Sequence, residues 1–292
     1  MKKILTSLFL VAITAISCNA QLLWKISGNG LEKPSYLFGT HHIAPISVLD
    51  SVPGFNNAFA SADKVYGELI MSEAQSPAAQ QIMMTAAMAP QDSTLTAVLT
   101  PAQVDSLNIL LQKYMGPMAT VAQFNPMKPA MVSTLIGVVQ AQSAFPTFNQ
   151  QEQLDGEIQK RAAAAGKEVG GLETMEIQCQ ALFGNSILEQ ANGLMDLVRN
   201  DDKAIGMAHR LANAYLAGDL SEMLSIIEDP TMGTGESTER LINKRNANWV
   251  RIMAGLLPTA SVLIAVGAGH LPGDKGLISL LKKEGYTVTP VE

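Results

Sequence analysis

A chain of 292 residues that is 47% hydrophobic and 16% charged has ample material for a buried core, in one domain or two, and is not the composition of a disordered protein. Its net charge of −6, with no lysine and arginine cluster in the body of the chain, argues against nucleic acid and anionic membrane surfaces as partners.

Residues 1–20 have the pattern of an export signal. Lys2 and Lys3 precede an uncharged, mostly apolar run from Ile4 to Ile16, and small residues follow at Ser17, Cys18 and Ala20. The run is short for a bilayer span, which favours cleavage after Ala20 and a periplasmic or secreted product. The alternative is a lipoprotein anchored to the membrane through Cys18, against which Ala15 stands where such signals usually carry leucine. Cleavage leaves Cys179 as the only cysteine, so no disulfide can form within the chain and any metal must be held by histidines and carboxylates.

Leu22–Ile26 alternates as a strand, Gly28, Asn29, Gly30 and Pro34 mark a turn, and Ser35–Phe38 reads as the return strand, ending in Gly39-Thr-His-His42. Gly54–Ala62 fits a short helix and Lys64–Ile70 a strand carrying Glu68. From 72 to 150 alanine, methionine and glutamine dominate, and helices are predicted after Thr100-Pro-Ala-Gln103 and over Lys128–Gln142. That stretch is expected to be a helical insertion or lid, its methionines ordinary adaptable packing. A helix over Gln153–Ala165 leads to a strand over Lys167–Leu172 that ends at Glu173, and three or four helices follow to about Leu256, the last with Arg245, Asn246 and Trp249. A buried strand over Thr259–Val266, a helix over Gly273–Lys283 and a closing strand over Tyr286–Val291 complete the chain. Strands and helices mix throughout, which predicts an α/β or α+β domain over 21–292, a central mixed sheet flanked by helices.

His42, Glu68, Glu173 and His270 all fall at predicted strand ends, where ligands gather in sheets with helical crossovers. The chain holds four histidines, and three lie in two Gly-x-x-His contexts: Gly39-Thr-His-His42 and Gly267-Ala-Gly-His270. Two neutral imidazoles with one or two carboxylates suit a divalent cation such as manganese, cobalt or zinc, which would activate water for hydrolysis without a side-chain nucleophile. His41 is open between a role behind the ligands and merely flanking His42, and His209 reads as a surface residue. Arg245 and Trp249, four apart, share a helix face; spacing alone favours ordinary packing over a contact with a substrate carboxylate or oxyanion. Gly-x-Ser-x-Gly, Walker-type and Gly-x-Gly-x-x-Gly motifs are absent.

Over nearly the whole mature chain these residues resemble the TraB/GumN family, which includes the Tiki-type proteases and is related in fold to erythromycin-esterase and ChaN-like proteins. The resemblance runs through Leu22–Ile26, Ser35–His42, Tyr66-Gly-Glu68, Gly171–Thr174 with Gln178, Lys244-Arg-Asn246 with Trp249, Val266–Gly273, Gly276-Leu277 and Gly285–Val288. It implies a secreted or membrane-associated metallopeptidase in which the two Gly-x-x-His motifs and Glu68 carry activity, with Glu173 and Arg245 lining the site. His41 departs from the pattern, where an apolar residue is more usual.

The expectation is therefore an exported, metal-dependent hydrolase cleaving a peptide or amide bond in a peptide or small-molecule substrate. His42, Glu68 and His270 hold the metal, Glu173 or Glu68 is the general base, and Arg245 contacts an oxyanion or carboxylate. The alternatives are a metal-free, esterase-like hydrolase with His42 as base, and a non-catalytic protein that binds a ligand such as haem.

Overall fold

In the computed structural model, residues 21–149, 152–229 and 235–291 are described; the expected signal segment 1–20, with Cys18, lies outside them. Six strands form one mixed sheet: β1 (Leu23–Ser27), β2 (Ser35–Thr40), β3 (Lys64–Gly67), β4 (Glu168–Gly171), β5 (Val262–Gly267) and β6 (Thr287–Pro290). Their spatial order is β4-β3-β5-β2-β1-β6. The four strands from β4 to β2 are parallel, while β1 pairs antiparallel with both β2 and β6.

The β1–β2 hairpin turns through Gly28, Asn29 and Gly30, all at positive φ, a conformation that glycine and asparagine adopt most readily. The central strand β5, Val-Leu-Ile-Ala-Val-Gly, is buried on both faces, as a continuous apolar run in a parallel sheet should be. Alternate side chains divide between two cores. Phe38, Leu263 and Ala265 face helices Phe55–Ser61, Leu154–Ala164 and Asp201–Ala217. Leu37, Ile264 and Val266 face helices Lys244–Leu256 and Leu277–Lys283. Among the described residues no helix is long and apolar enough to cross a membrane.

Between β3 and β4 the chain is helical, with a core of its own around Leu95, Leu107, Leu111 and Ile136. Thr100 caps the helix Pro101–Met115 through a reciprocal pair with Gln103, the expected capping box. Helix Ile187–Arg199 adds Leu194 and Met195 to this core, so the helical layer draws on sequence beyond residue 150.

Some elements are shorter than the sequence suggests. β3 ends at Gly67, and the Glu68 carbonyl accepts the backbone N–H groups of Leu172 and Glu173, tying together the segments that follow β3 and β4. The helix expected from Gly273 begins at Leu277, after a turn in which Gly273 holds φ +89°. A π-helical turn, Glu239–Asn243, runs directly into helix Lys244–Leu256.

Candidate active site

All four parallel strands end at the same edge of the sheet, so the segments after Thr40, Gly67, Gly171 and Gly267 come together there. The register fixes this: Gly39 lies beside Val266 and Thr40 beside Gly267, placing the two Gly-x-x-His motifs on neighbouring strands at one level. Close approach requires glycine. A Cβ on Gly39 would sit 2.9 Å from the Ala268 Cβ, and one on Gly267 would come within 3.2 Å of Glu68 Oε1.

Arg245 is the hub. Its Nη2 donates to Glu68 Oε2 at 2.5 Å and to Glu173 Oε1 at 2.7 Å, and its Nε donates to Glu173 Oε2 at 3.0 Å. Nη1 donates to the Leu241 carbonyl at 2.9 Å and lies 3.1 Å from His270 Nε2. The guanidinium also stacks over Trp249, 4.6 Å from the ring centroid. Trp249 Nε1 donates to Glu173 Oε2 at 3.1 Å, so both oxygens of that buried carboxylate are engaged. Glu68 is buried too, with Oε1 accepting from Gly267 N at 2.8 Å and lying 3.9 Å from His270 Nε2.

Electrostatics follow from these contacts. Burial pushes the Glu68 carboxyl up, but the charges of His270, Arg245 and His42 with the Gly267 N–H outweigh it and hold the pKa at about 2. Burial lowers His270 to about 4 against the pull of Glu68, helped by Arg245 and His42. His270 is thus neutral near pH 7, where Arg245 rather than His270 compensates Glu68. His270 Nδ1 lies 2.7 Å from Asn246 Oδ1, which accepts only, so Nδ1 carries the proton and Nε2 accepts from Arg245.

The two adjacent histidines have different surroundings. His42 Nδ1 lies 2.9 Å from Asp155 Oδ2, and Asp155 Oδ1 accepts from the Thr40 hydroxyl at 2.7 Å. Asp155 raises the imidazole pKa, by its charge and then its hydrogen bond, to about 9. Solvent screens part of that pairing, since 66% of the His42 side chain is exposed while Asp155 is buried. No hydrogen bond occupies His42 Nε2 among the described residues. His41 is wedged between Phe145 and Tyr215, ring centroids 5.0 and 5.2 Å away, and its buried Nδ1 has no partner. Burial and the neighbouring His42 push its pKa down to about 4.

Glu68, Glu173, Arg245 and His270 therefore form one contiguous network, and His42 stands on Asp155 instead. His209 is exposed on its helix, and Cys179 is buried and free. Asp155 carried no sequence signal, because an acidic residue in the first turn of a helix is expected there as a complement to the helix dipole. The expected ligand trio of His42, Glu68 and His270 does not form a cluster able to hold a metal; among the described residues no such group of three exists. The reason is chemical: both His270 nitrogens are engaged, and the cationic guanidinium lies against the one a metal would need. The trio as arranged does not fit a divalent cation. An apolar cavity of about 370 Å³ adjoins the site, with His41, His42, Gly267 and Ala268 in its wall.

A family model described as TraB/PrgY/gumN matches residues 22–290. Curated relatives include Metalloprotease TIKI2 of Danio rerio, 25% identical over 91% of this chain and 60% of its own length. Metalloprotease TIKI1 of Homo sapiens is 24% identical over 91% of the chain and 61% of its own, and a Metalloprotease TIKI homolog of Amphimedon queenslandica is 22% identical over 91% and 60%. The chain thus spans about three fifths of the length of these relatives. No solved structure matches it significantly.

Proposed function

Since the chain belongs to the TraB/PrgY/gumN family, we propose that it is an exported hydrolase of peptide or amide bonds, with His42 as the group that activates water. The observation that carries this reading is the Asp155–His42 pair at the wall of the apolar cavity. Asp155 accepts a hydrogen bond from Nδ1–H, fixing the tautomer so that in the neutral ring the Nε2 lone pair is the free base. Nε2 takes a proton from water as the water oxygen bonds to the substrate carbonyl carbon. The imidazolium then returns that proton to the departing amine as the C–N bond breaks. Arg245 is spent on Glu68, Glu173 and His270, so its part is to hold the carboxylates and the second Gly-x-x-His motif in place. Glu68, ionised at about 2, is a poor proton acceptor near neutrality.

Metal-assisted hydrolysis is the second reading, favoured by the names of the curated relatives. It requires Arg245 to release His270 Nε2. Elemental analysis of the purified protein, with cleavage of a pool of internally quenched peptides before and after dialysis against a chelator, separates the two. Turnover that persists without bound metal and falls about 10²–10⁴-fold in His42→Ala supports the first reading. Stoichiometric manganese, cobalt or zinc, with activity lost on chelation and regained on its return, selects the second. Unaltered turnover in His42→Ala overturns the role given to His42.

A further inference from the structure

The 370 Å³ cavity beside His42 is near the lower bound of ligand pockets, and its lining is specific in kind. One wall is a single stripe of helix Pro129–Gln142: Thr134, Gly137, Val138 and Ala141, spaced i, i+3, i+4, i+7. Leu211, Met223 and Ile227 line it from other helices, and the Gly267–Gly269 turn closes it. Apart from His41 and His42 no ionisable side chain among the described residues lines it, and His42 is already paired with Asp155, so a charged group inside would lose water without finding an uncommitted counter-ion.

Gly137 stands out in that wall. Glycine is the worst helix former after proline, yet it occupies the middle of this helix. No crowding demands it: a Cβ there would have no heavy atom within 4 Å. The room beside it belongs to the cavity, and a larger residue would take that room.

We propose that this cavity is the specificity pocket of the hydrolase, taking a large apolar side chain (leucine, methionine or phenylalanine) of the peptide residue beside the scissile bond, with Gly137 setting the size admitted. The inference rests on the hydrolase reading above, so binding and cleavage are measured separately. Cleavage is followed on internally quenched peptides alike except at one position, varied among glycine, alanine, leucine, phenylalanine and aspartate. Binding is followed by titrating N-acetyl-phenylalanine amide, N-acetyl-aspartate amide and octanamide against the protein by NMR. The expected result is kcat/KM at least about tenfold higher for leucine or phenylalanine than for alanine, with aspartate slowest. N-acetyl-phenylalanine amide binds saturably and the aspartate amide does not. Gly137→Leu erases both the preference and the binding, and Gly137→Ala, which a helix accepts readily, diminishes them; thermal melts confirm that both variants are folded. Cleavage without apolar preference, a preference that survives in Gly137→Leu, or saturable binding of octanamide alone overturns the pocket assignment and leaves the hydrolase reading standing. Phenylalanine-amide binding that is lost in Gly137→Leu, with no peptide cleaved, removes the hydrolase reading instead.

Discussion

Replacing Arg245 with alanine is expected to destabilise the fold by about 3–5 kcal/mol, the cost of breaking a buried ion pair and leaving its partner uncompensated. Here two buried carboxylates are left, Glu68 and Glu173, and three charge-assisted hydrogen bonds go at once. The Glu68 pKa is of the same order: its fall from 4.5 to about 2 corresponds to roughly 3 kcal/mol, shared among His270, Arg245, His42 and the Gly267 N–H. Against a typical total of about 5–15 kcal/mol that is a large share. The sign with pH is distinctive. In the native protein Glu68 contributes stability that is complete above pH 4.5 and lost as pH falls through about 2. Without the guanidinium the carboxyl pKa rises from about 2, while the charges of His270 and His42 and the Gly267 N–H still oppose burial. His270, freed from the same cation, also shifts upward, so the variant loses less stability than the native protein as pH falls below 6.5. Urea unfolding of both proteins at about pH 5 and about pH 8 should therefore give a larger penalty at the higher pH. Arg245→Lys, which keeps a charge but not the fork, should fall between. A penalty below about 1 kcal/mol, or one equal at both pH values, would refute the hub role.

Two other substitutions probe the paired histidines. Proton abstraction by His42 needs the neutral ring, so kcat/KM should rise with pH through a limb between its ordinary 6.5 and about 9, and Asp155→Asn should move that limb to lower pH; a limb that does not move removes Asp155 from the reaction. His41→Phe deletes a buried nitrogen without a partner and keeps a ring between Phe145 and Tyr215, which should gain about 1 kcal/mol. Because the His41 pKa is depressed to about 4, the native protein loses stability as pH falls below 6.5, so the gain should be larger near pH 5 than near pH 8. An equal gain in melting temperature at both pH values would contradict that account.

All six strands of the described sheet were legible in the sequence, because short runs containing apolar or β-branched residues stood between glycine and proline breaks. Their order was not, since nothing local says that Val262–Gly267 inserts between Ser35–Thr40 and Lys64–Gly67. Helical spacing placed Arg245 and Trp249 on one face but could not show that both meet Glu173, a residue more than seventy positions away. The metal trio came from counting donors by type; which donors were already engaged depends on a guanidinium whose position only the tertiary fold reveals. The sequence favoured His42 over His41 but left the place of His41 open for the same reason. One is held between aromatic rings and the other on Asp155, and both surroundings are assembled from segments distant in sequence.

The strand order also bears on timing. Val262–Gly267 is the shared neighbour of β2 and β3, yet nearly two hundred residues separate it from the later of them. During synthesis from the N-terminus, β2 and β3 each wait with an unpaired edge until that late strand arrives. Contacts so remote in sequence close slowly. His42 and Glu68 are made early, while Arg245, Asn246 and His270 come with the last fifth of the chain. A partly made chain therefore cannot contain the Arg245 network, and its central apolar strands need protection from aggregation in the interval. The complete site appears as the sheet closes, near the end of folding.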